Sequence, residues 1–419
     1  MIFRLIEKLN SIKKFPFYII APTVYAIGNA SEQINLSINY ASKRKKLLII
    51  LKINIFPKLL KYSVCNHALF DELAIKNNYY IKLFFQFLIN LEFFFKRSYF
   101  LIKRYFKIRD KDEFIFPTIG VNRVYGINKI NLNTVSYQSI KSFSFDYNLL
   151  NFSKENEEYC RKKIIKLGIH DNDKIVCIHV RDGKYRDDDD RKSYRNSEIS
   201  NYLETIKFLI SSGFKVIRMG RRSSKKIFLK NENFIDCNFN EIQDDILDLY
   251  FIKKCEFYIG TQSGILDVAH MFKKPILLTN MCELYTSFPR KKIDRGIFKK
   301  ICSKHSGKNI SINEFAKMPF KYHDPQLEIN DLIFYENSSQ ELLECTQEFL
   351  INLNTNISQT NLQDKFNNFI KKQHENFYNQ GLSDQHNLKI QVDSLKMIRM
   401  FKSVEGSLCD TYLRNNSSL

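Results

Sequence analysis

The stretch DKIVCIHVRDG, residues 173–183, decides the fold class because its character changes abruptly along the chain. Residues 175–178 are continuously apolar, as expected for a strand that is buried on both faces of a parallel sheet. His179, Arg181 and Asp182 come at the point where this strand ends. Because open parallel sheets bind ligands at the carboxyl ends of their strands, we expect an α/β protein with these three side chains at a binding edge.

The same alternation of apolar strands and helices continues along the chain. A helix predicted over residues 198–212 ends before Gly213, a residue type that is favoured just after the last turn of a helix. The other elements of this region are strands over 214–219, 257–259 and 275–280 and helices over 241–255 and 264–272. Strands separated by helices of this length predict right-handed βαβ crossovers and a parallel sheet.

A second set of strands and helices precedes residue 150. Strands are predicted over 16–21 and 46–55, a helix over 29–40 and a further strand end over 114–120. A chain of 419 residues is too long for one ordinary domain. We therefore predict two α/β lobes that face a cleft, residues 1–150 and residues 151–350, followed by a helical extension over residues 351–419.

The composition excludes a disordered chain and a disulfide scaffold. Hydrophobic residues make up 44% of the sequence and aromatic residues 14%, which is ample for a core in each lobe. None of the nine cysteines has CxxC spacing. This pattern is typical of a reducing cytoplasm and argues against a structural zinc site. We expect a cytoplasmic protein.

The net charge of +20 is concentrated in the first lobe. Residues 1–150 hold 23 Lys and Arg against 9 Asp and Glu, a net charge of +14. Such asymmetry indicates an anionic partner, which could be lipid head groups, nucleic acid or an acidic substrate. A codon bias toward Lys, Asn and Ile would produce the same excess without any partner, so both interpretations stay open.

The most apolar segment is YYIKLFFQFLINLEFFFKRSYFLIKRYF, residues 79–106. Charged and polar residues interrupt it before it reaches the roughly 18 apolar residues of a membrane-spanning helix. A helix that is rich in Phe and Leu and followed by cations can lie in the interface of an anionic membrane. It can equally be a core helix whose long cationic side chains reach solvent. Peripheral contact with the inner face of the membrane is therefore one of two interpretations.

Two loops carry residues suited to a diphosphate. Arg181 and Arg195 follow the first strand of the second lobe, and a guanidinium group can hold phosphate oxygens through two parallel hydrogen bonds. The segment IGTQSG, residues 259–264, leads from a strand into a helix whose first amides attract anions. A salt bridge from Arg181 to Asp182 and a structural helix cap are the alternatives without a ligand.

Other residues at this edge are predicted to contact the same ligand. His179 would orient Asp182 or touch the ligand, and it could also be a hydrogen-bonded core histidine. The predicted ligand set is completed by Gly220, Arg221, Thr261, Gln262, Ser263, Gly264 and Asp267.

We expect no metal and no cofactor. The acidic run at residues 187–190 invites a magnesium interpretation, but it lies in a hydrophilic loop between Arg186 and Arg191 and is typical of a solvated loop. The sequence contains no GxGxxG, Walker A, HExxH or GxSxG motif, so the usual arguments for dinucleotide, ATP, metalloprotease and hydrolase sites are missing.

These motifs resemble, in order, those of a bacterial family of glycosyltransferases linked to surface-polysaccharide gene clusters. The matching segments are HVRDG (179–183), YRNS (194–197), VIRMG (216–220), IGTQSG (259–264), KPILLTN (274–280) and TYLRNNSSL (411–419). Upstream, the resemblance is reduced to IGN (27–29) and PTIG (117–120). The HVRD element is also similar to a motif of fucosyltransferases, and the TQSG segment is similar to the donor loop of heptosyltransferases.

The resemblance implies a GT-B architecture, with two Rossmann-like lobes and a nucleotide-sugar donor bound mainly by the second. It implies sugar transfer to a glycan or lipid-linked acceptor of the cell envelope, with Gly28 and Asn29 on the acceptor side. We expect Arg181 to neutralise the leaving diphosphate and Asp182 to act as the base, with inversion at the anomeric carbon. The alternatives are a nucleic-acid-binding protein, which we do not favour, and a nucleotide-sugar-binding protein without catalysis.

Overall fold

The computed structural model describes residues 2–22, 24, 26–53, 64–71, 79–105, 152–183, 194–221, 225–239, 244–284, 288–318, 332–355, 359–383 and 404–417. The chain divides into two compact units, Met1–Tyr159 and Cys160–Leu419. No helix within the described ranges is long and apolar enough to cross a membrane. All nine cysteines are free thiols.

Unit 1 is built around one parallel βαβ motif. Its elements are α1 (Ile2–Ser11), β1 (Phe17–Ile20), α2 (Ile27–Lys43), β2 (Leu47–Ile50), α3 (Ala68–Asp71) and α4 (Tyr79–Tyr105). β1 pairs with β2 in parallel, with Ile19 opposite Ile49, and both residues are fully buried. The described part of unit 1 therefore contains the two-stranded core of an α/β lobe.

Two polar side chains of unit 1 join its helices to strand backbone. Asn10 of α1 donates from Nδ2 to the carbonyl oxygen of Ile19 at 2.7 Å and accepts from the Ile19 amide at 2.8 Å. Gln86 of α4 makes the same reciprocal pair with the backbone of Lys52, just beyond β2. Because buried peptide groups need partners, these amides bind α1 and α4 to the sheet in a fixed register.

Unit 2 is a seven-stranded, wholly parallel sheet with helices. Its first elements are α5 (Lys154–Lys166), through which the unit boundary passes, β3 (Lys174–His179), a 3₁₀ turn (Ile199–Tyr202), α6 (Leu203–Ser211), β4 (Phe214–Arg218) and β5 (Phe234–Asp236). These are followed by α7 (Asp245–Lys254), β6 (Phe257–Gly260), α8 (Gly264–Met271), β7 (Ile276–Met281) and β8 (Arg295–Phe298). The strand order is β12-β8-β7-β6-β3-β4-β5, where β12 is the two-residue strand Ser407–Leu408, and it confirms the predicted α/β class and parallel sheet.

The remaining elements of unit 2 are a small antiparallel sheet and the carboxy-terminal helices. They are β9 (Lys300–Ser303), β10 (Asn309–Ile310), α9 (Ile312–Ala316), β11 (Leu332–Tyr335), α10 (Ser339–Thr355), α11 (Asn361–Ser383), β12 (Ser407–Leu408) and α12 (Asp410–Asn416). β12 extends the main sheet beside β8, and Gln363 of α11 donates to the carbonyl oxygen of Leu408 at 2.8 Å. The described carboxy-terminal elements thus pack into the same unit as the main sheet.

Most predicted elements of unit 2 agree with the structure to within a few residues. Gly213 ends α6 with a φ of +87° and donates to the carbonyl oxygen of Ile210 at 3.0 Å, as predicted for a helix terminus. The predicted helix over 198–212 begins instead as a 3₁₀ turn. Ile199 and Tyr202 lie three residues apart and are both buried, and three residues per turn places them on the same side.

Other predictions needed correction or fall outside the described residues. α2 begins at Ile27, two residues before the predicted helix start at Asn29, so Gly28 lies in its first turn and not in a preceding loop. β2 ends at Ile50, earlier than the predicted strand over 46–55. The sequence analysis did not predict β5, β8 or the strands after it, which have two to four residues each. The predicted strand end at 114–120 and the acidic run at 187–190 lie outside the described residues. The lobe boundaries at residues 150 and 350 stay predictions.

Phe349 of α10 tests whether the carboxy-terminal helices stabilise unit 2. Its fully buried ring contacts Phe257 of β6 edge-on, with centroids 5.5 Å apart. We expect Phe349→Ala to lower the free energy of unfolding by about 3–5 kcal/mol because it leaves a cavity. The exposed Ile351→Ala on the same helix should change it by less than about 0.5 kcal/mol. Urea titration of both variants measures the difference, and equal effects would contradict this packing.

Candidate functional site

The candidate site of unit 2 lies where the order of strands in the sheet changes direction. From β3 the chain moves outward to β4 and β5, and it then returns to add β6 on the other side of β3. His179, at the end of β3, is opposite Gly260, at the end of β6. In open parallel sheets such a switch point leaves a crevice at the carboxyl ends of the two strands, and ligands bind there.

Hydrogen bonds join the two loops that follow β3 and β6. The amide of Arg181 donates to Oγ1 of Thr261 at 3.0 Å, and the Thr261 amide donates to the carbonyl oxygen of His179 at 3.1 Å. Thr261 is fully buried, so its hydroxyl holds the Arg181 backbone and is not presented to solvent. The predicted ligand residues Arg181 and Thr261 are therefore brought together by direct contact.

His179 contacts the last residue of the second loop. Its Nδ1 lies 3.0 Å from Oγ of Ser263. Burial lowers the pKa of His179, Asp182 opposes the shift, and Arg218 and Arg181 add to it, so that the pKa is about 4. The imidazole is therefore neutral near pH 7, and its contact with Ser263 is a bond between neutral groups.

Ser263 is also the residue before α8. Its backbone is extended, and its side chain does not accept a hydrogen bond from the first turn of the helix. The hydroxyl contacts His179 instead, so it is not used as a helix cap. The amino-terminal end of α8, which begins at Gly264, carries the partial positive charge that attracts anions.

The guanidinium group of Arg181 is positioned by the loop that contains Asn196. Arg181 Nη1 donates to Oδ1 of Asn196, and the Ser197 amide donates to the Arg181 carbonyl oxygen at 2.8 Å. Gly183 lies beside them with a φ of +76°, and a Cβ there would be 2.7 Å from Asn196 Nδ2. Only glycine fits this position without displacing the residue that holds Arg181.

A buried lysine between β8 and β9 contacts the same loop. Lys299, between β8 and β9, donates from Nζ to the carbonyl oxygen of Asn196 at 2.6 Å and is almost fully buried. Burial lowers the pKa of Lys299, and the charge of Arg181 acts in the same direction. The sequence analysis gave no role to Lys299, because nothing in the sequence near residue 299 indicates that it contacts residue 196.

Arg195 is held against the loop that follows β6. Its Nη2 donates to the carbonyl oxygen of Gln262 at 2.8 Å, and its Nε lies 3.9 Å from Oε1 of Glu283. The hydroxyl of Tyr194 donates to the same carboxylate oxygen at 3.0 Å. The structure thus brings Arg195 to the loop that was predicted to lie opposite Arg181. Glu283, which the sequence analysis did not identify, lies beside Arg195 and Tyr194 and helps to hold them there.

The side chain of Gln262 is occupied by hydrogen bonds to the backbone of residues 282 and 283. Its buried Oε1 accepts from the amides of Cys282 at 2.7 Å and Glu283 at 3.0 Å, and its Nε2 donates to the Glu283 carbonyl oxygen at 2.7 Å. These bonds tie the loop after β6 to the end of β7. Its predicted contact with a ligand stays a prediction, and the backbone carbonyl is the part that meets Arg195.

Arg221, after β4, is paired with acids. Its Nη2 lies 2.5 Å from Asp245 and 2.6 Å from Asp248. Burial raises the pKa of Asp248 to about 6 even though Arg221 opposes the shift. Gly220 precedes Arg221, and Nδ2 of the Asn238 side chain donates to the Met219 carbonyl oxygen at 3.3 Å. Contact of Gly220 and Arg221 with a ligand stays a prediction.

The other predicted residues have the following positions. Asp182 follows Arg181 in the same half-buried loop, and Asp267 in the first turns of α8 lies 3.3 Å from Nη2 of Arg290. Gly28 and Asn29 lie in unit 1 at the beginning of α2. Among the residues that the structure describes, no three His, Cys, Asp or Glu side chains are arranged to hold a metal ion.

His179 provides a pH test of this site. Its pKa of about 4 in the folded protein lies below the ordinary value of 6.5, so between these values the unfolded chain binds a proton that the folded chain does not. The free energy of unfolding should therefore fall as the pH is lowered from about 6.5 to about 4. Part of this slope should be absent in His179→Gln and present in the exposed control His305→Gln. Urea titrations at several pH values measure it, and equal slopes in all three proteins would exclude a neutral, buried His179.

Comparisons with known proteins place the chain in no family. No protein-family model matches the sequence, and no curated protein matches it significantly. Among solved structures, the chain is similar to that of dodecameric iron-containing heptosyltransferase TibC in complex with ADP-D-beta-D-heptose. The identity is 18% and the TM-score 0.18, over 26% of this chain and 28% of that chain. The match spans little more than a quarter of either protein, and a likeness of this size carries no argument about fold or function.

Proposed function

We propose that unit 2 binds the diphosphate of a nucleotide sugar and that the protein is a glycosyltransferase of the GT-B type. The observation that supports this most is the switch point between β3 and β6. There, the Arg181 amide is hydrogen-bonded to Thr261, and the Arg195 guanidinium is hydrogen-bonded to Gln262. Two guanidinium groups and the amino-terminal end of α8 thus belong to one connected pair of loops, and all three favour an anion.

In the proposed reaction the anomeric carbon of the donor sugar is attacked by a hydroxyl oxygen of the acceptor. A new carbon–oxygen bond forms while the bond from that carbon to the diphosphate breaks, and the bonding electrons leave with the diphosphate. The negative charge of the diphosphate increases as this group departs. Arg181, Arg195 and the amides of Ser263 and Gly264 would stabilise that charge, which is the contribution that lowers the barrier.

Asp182 is the proposed general base. It follows Arg181 directly, so a carboxylate would lie close to the bound diphosphate and could accept the proton of the acceptor hydroxyl. Asp267 is a weaker candidate because its carboxylate is paired with Arg290. Inversion of the anomeric configuration follows if the hydroxyl attacks opposite the leaving diphosphate.

The acceptor is proposed to be a glycan or lipid-linked glycan of the cell envelope, bound by unit 1. Its βαβ motif places the beginning of α2, with Gly28 and Asn29, after the carboxyl end of β1. Polar groups at such an edge are suited to hydroxyl-bearing ligands. The residues around the switch point could stabilise the leaving group with guanidinium groups alone, so we propose a reaction that needs neither metal nor cofactor.

Binding of nucleoside diphosphates tests the role of Arg181. We expect one of GDP, UDP, ADP, CDP or dTDP to raise the unfolding temperature of the wild type in the presence of EDTA. A ligand at 100 times its dissociation constant should add about 2.7 kcal/mol to the free energy of unfolding. Arg181→Ala should lose most of this gain, and Arg181→Lys should recover little because an ammonium group makes no fork-shaped contact.

Arg161→Ala is the matched control. Arg161 lies in the same unit in an exposed ion pair with Asp171, so its removal changes the net charge equally. Nucleotide binding should be unchanged in this variant. Equal loss in both variants would indicate a general charge effect, and binding that requires a divalent metal would contradict the proposed mechanism. If no nucleotide stabilises the wild type, the proposal fails.

A further inference from the structure

The helix α4 of unit 1 has an unusual distribution of side chains. Its buried residues Phe85, Ile89 and Phe93 follow each other at intervals of four and face the core of the unit. The polar residues Gln86 and Glu92 also contact unit 1. The inward half of this helix therefore carries both its core contacts and its hydrogen bonds.

Glu92 illustrates how firmly the inward half is held. It accepts a hydrogen bond from the Phe3 amide of α1 at 3.0 Å and pairs with Lys96 at 2.8 Å. Burial opposes the charge on Glu92, but the hydrogen bonds from Lys96 and Phe3 outweigh it and lower its pKa to about 2. Glu92 is the single acidic residue of α4. It is ionised, and its negative charge is compensated by Lys96 and by the Phe3 amide on the inward half of the helix.

The outward half of α4 carries a stripe of residues that is apolar or aromatic except for Ser98. A helix advances about 100° per residue, so eight residues fall within an arc of about 80° whose centre lies about 20° from the direction opposite Ile89. They are Ser98 and seven residues that are each 42–82% exposed, namely Tyr80, Phe84, Phe87, Leu91, Phe95, Ile102 and Tyr105. No charged residue of the helix falls within that arc. The 27 residues of α4 make this stripe about 40 Å long, longer than the scattered apolar groups that ordinary surfaces expose.

Cations lie along the inward half and flanks of the same helix. Lys96 is half exposed, and Arg97 and Lys103 are partly exposed. An interfacial helix sinks about 5–10 Å into the boundary between head groups and acyl chains. Because a helix is about 10 Å across, that depth would bring these cations to the level of the lipid phosphates. Apolar groups would then face acyl chains while cations meet anionic head groups.

We propose that α4 docks unit 1 onto an anionic membrane surface, with the helix axis parallel to the bilayer. The charge of the first 150 residues, +14, has the sign that such a surface attracts. A second copy of this chain fits less well, because two such helices face to face would bring like charges together. Nucleic acid fits less well too, since it requires cations interleaved with exposed aromatic residues, and no charged residue falls within the outer stripe.

The absence of tryptophan from the sequence allows a direct test. Phe87→Trp places a single indole on the outer stripe, and Phe228→Trp places one on a still more exposed site of unit 2. With vesicles of equimolar phosphatidylglycerol and phosphatidylcholine, emission of the Phe87→Trp protein should shift to shorter wavelength. Lipids brominated on their acyl chains should quench it. Emission of Phe228→Trp should stay unchanged, and vesicles of phosphatidylcholine alone should produce a much smaller shift.

Charge insertion tests the same stripe without a reporter. The double variant Phe87→Glu/Phe95→Glu should reduce co-sedimentation with the mixed vesicles by about tenfold or more, since each buried Phe side chain favours the apolar phase. Phe228→Glu/Ile351→Glu carries the same added charge on exposed positions of unit 2 and should bind as the wild type does. Thermal unfolding of the two double variants and of the two Trp variants verifies that each is folded.

Three results would overturn the inference. One is unchanged Phe87→Trp emission with the mixed vesicles, and another is equal binding to charged and neutral vesicles. The third is a shift of Phe87→Trp emission that depends on protein concentration without lipid, because it would identify the stripe as a contact between copies of the chain.

Discussion

The parallel pairing of β3 with β6 is the constraint on which the arrangement of unit 2 depends. Parallel strands end at the same edge of a sheet, so pairing β3 with β6 makes the loops after them neighbours although Arg181 and Thr261 lie 80 residues apart. The chain can return to β3 only by leaving β5 at the edge and crossing the sheet through α7. The crevice at the switch point is a consequence of this path, and the side chains found there are those that follow the two strands.

Burial decides how the charged groups around that crevice are used. A guanidinium or ammonium group that leaves water needs hydrogen-bond acceptors in fixed positions. Lys299 obtains one from the Asn196 carbonyl, Arg195 from the Gln262 carbonyl and Arg218 from the Asp236 carboxylate, 2.8 Å away. Each of these bonds joins two different loops or strands. The cations therefore fix the shape of the loops as well as their electrostatic potential, and both properties are required to bind an anion in one orientation.

In unit 1 the need of buried polar groups for hydrogen-bond partners places polar side chains of α4 on its inward half and leaves apolar side chains exposed. Its polar side chains turn toward the protein because they satisfy backbone groups there, as Gln86 does with Lys52. Phe85 and Phe93 are buried, and most of the other aromatic side chains of α4 lie on the remaining surface of the helix. Hydropathy averaged along the helix does not distinguish this arrangement from an ordinary core helix. What distinguishes them is which half of the helix contacts the sheet, and hence whether the phenylalanines are hidden or presented.

Local sequence determined the α/β class, the strands β3, β4, β6 and β7 and the helices α6, α7 and α8 of unit 2, and the positions of Arg181, Thr261 and Ser263 just after strand ends. These follow from the continuous run at residues 175–178, from Gly213 at a helix terminus and from short-range periodicity. The short strands β5, β8 and β12 were missed because two to four residues carry too little pattern and pair only with strands already in place. Tertiary structure alone decided that Glu283, Asn196 and Lys299 support the two arginines and that Gln262 joins two loops. It also decided that Phe84, Phe87 and Phe95 of α4 face outward. These relations connect residues that are distant along the chain, and their energies depend on burial, which no local segment possesses before the chain has folded.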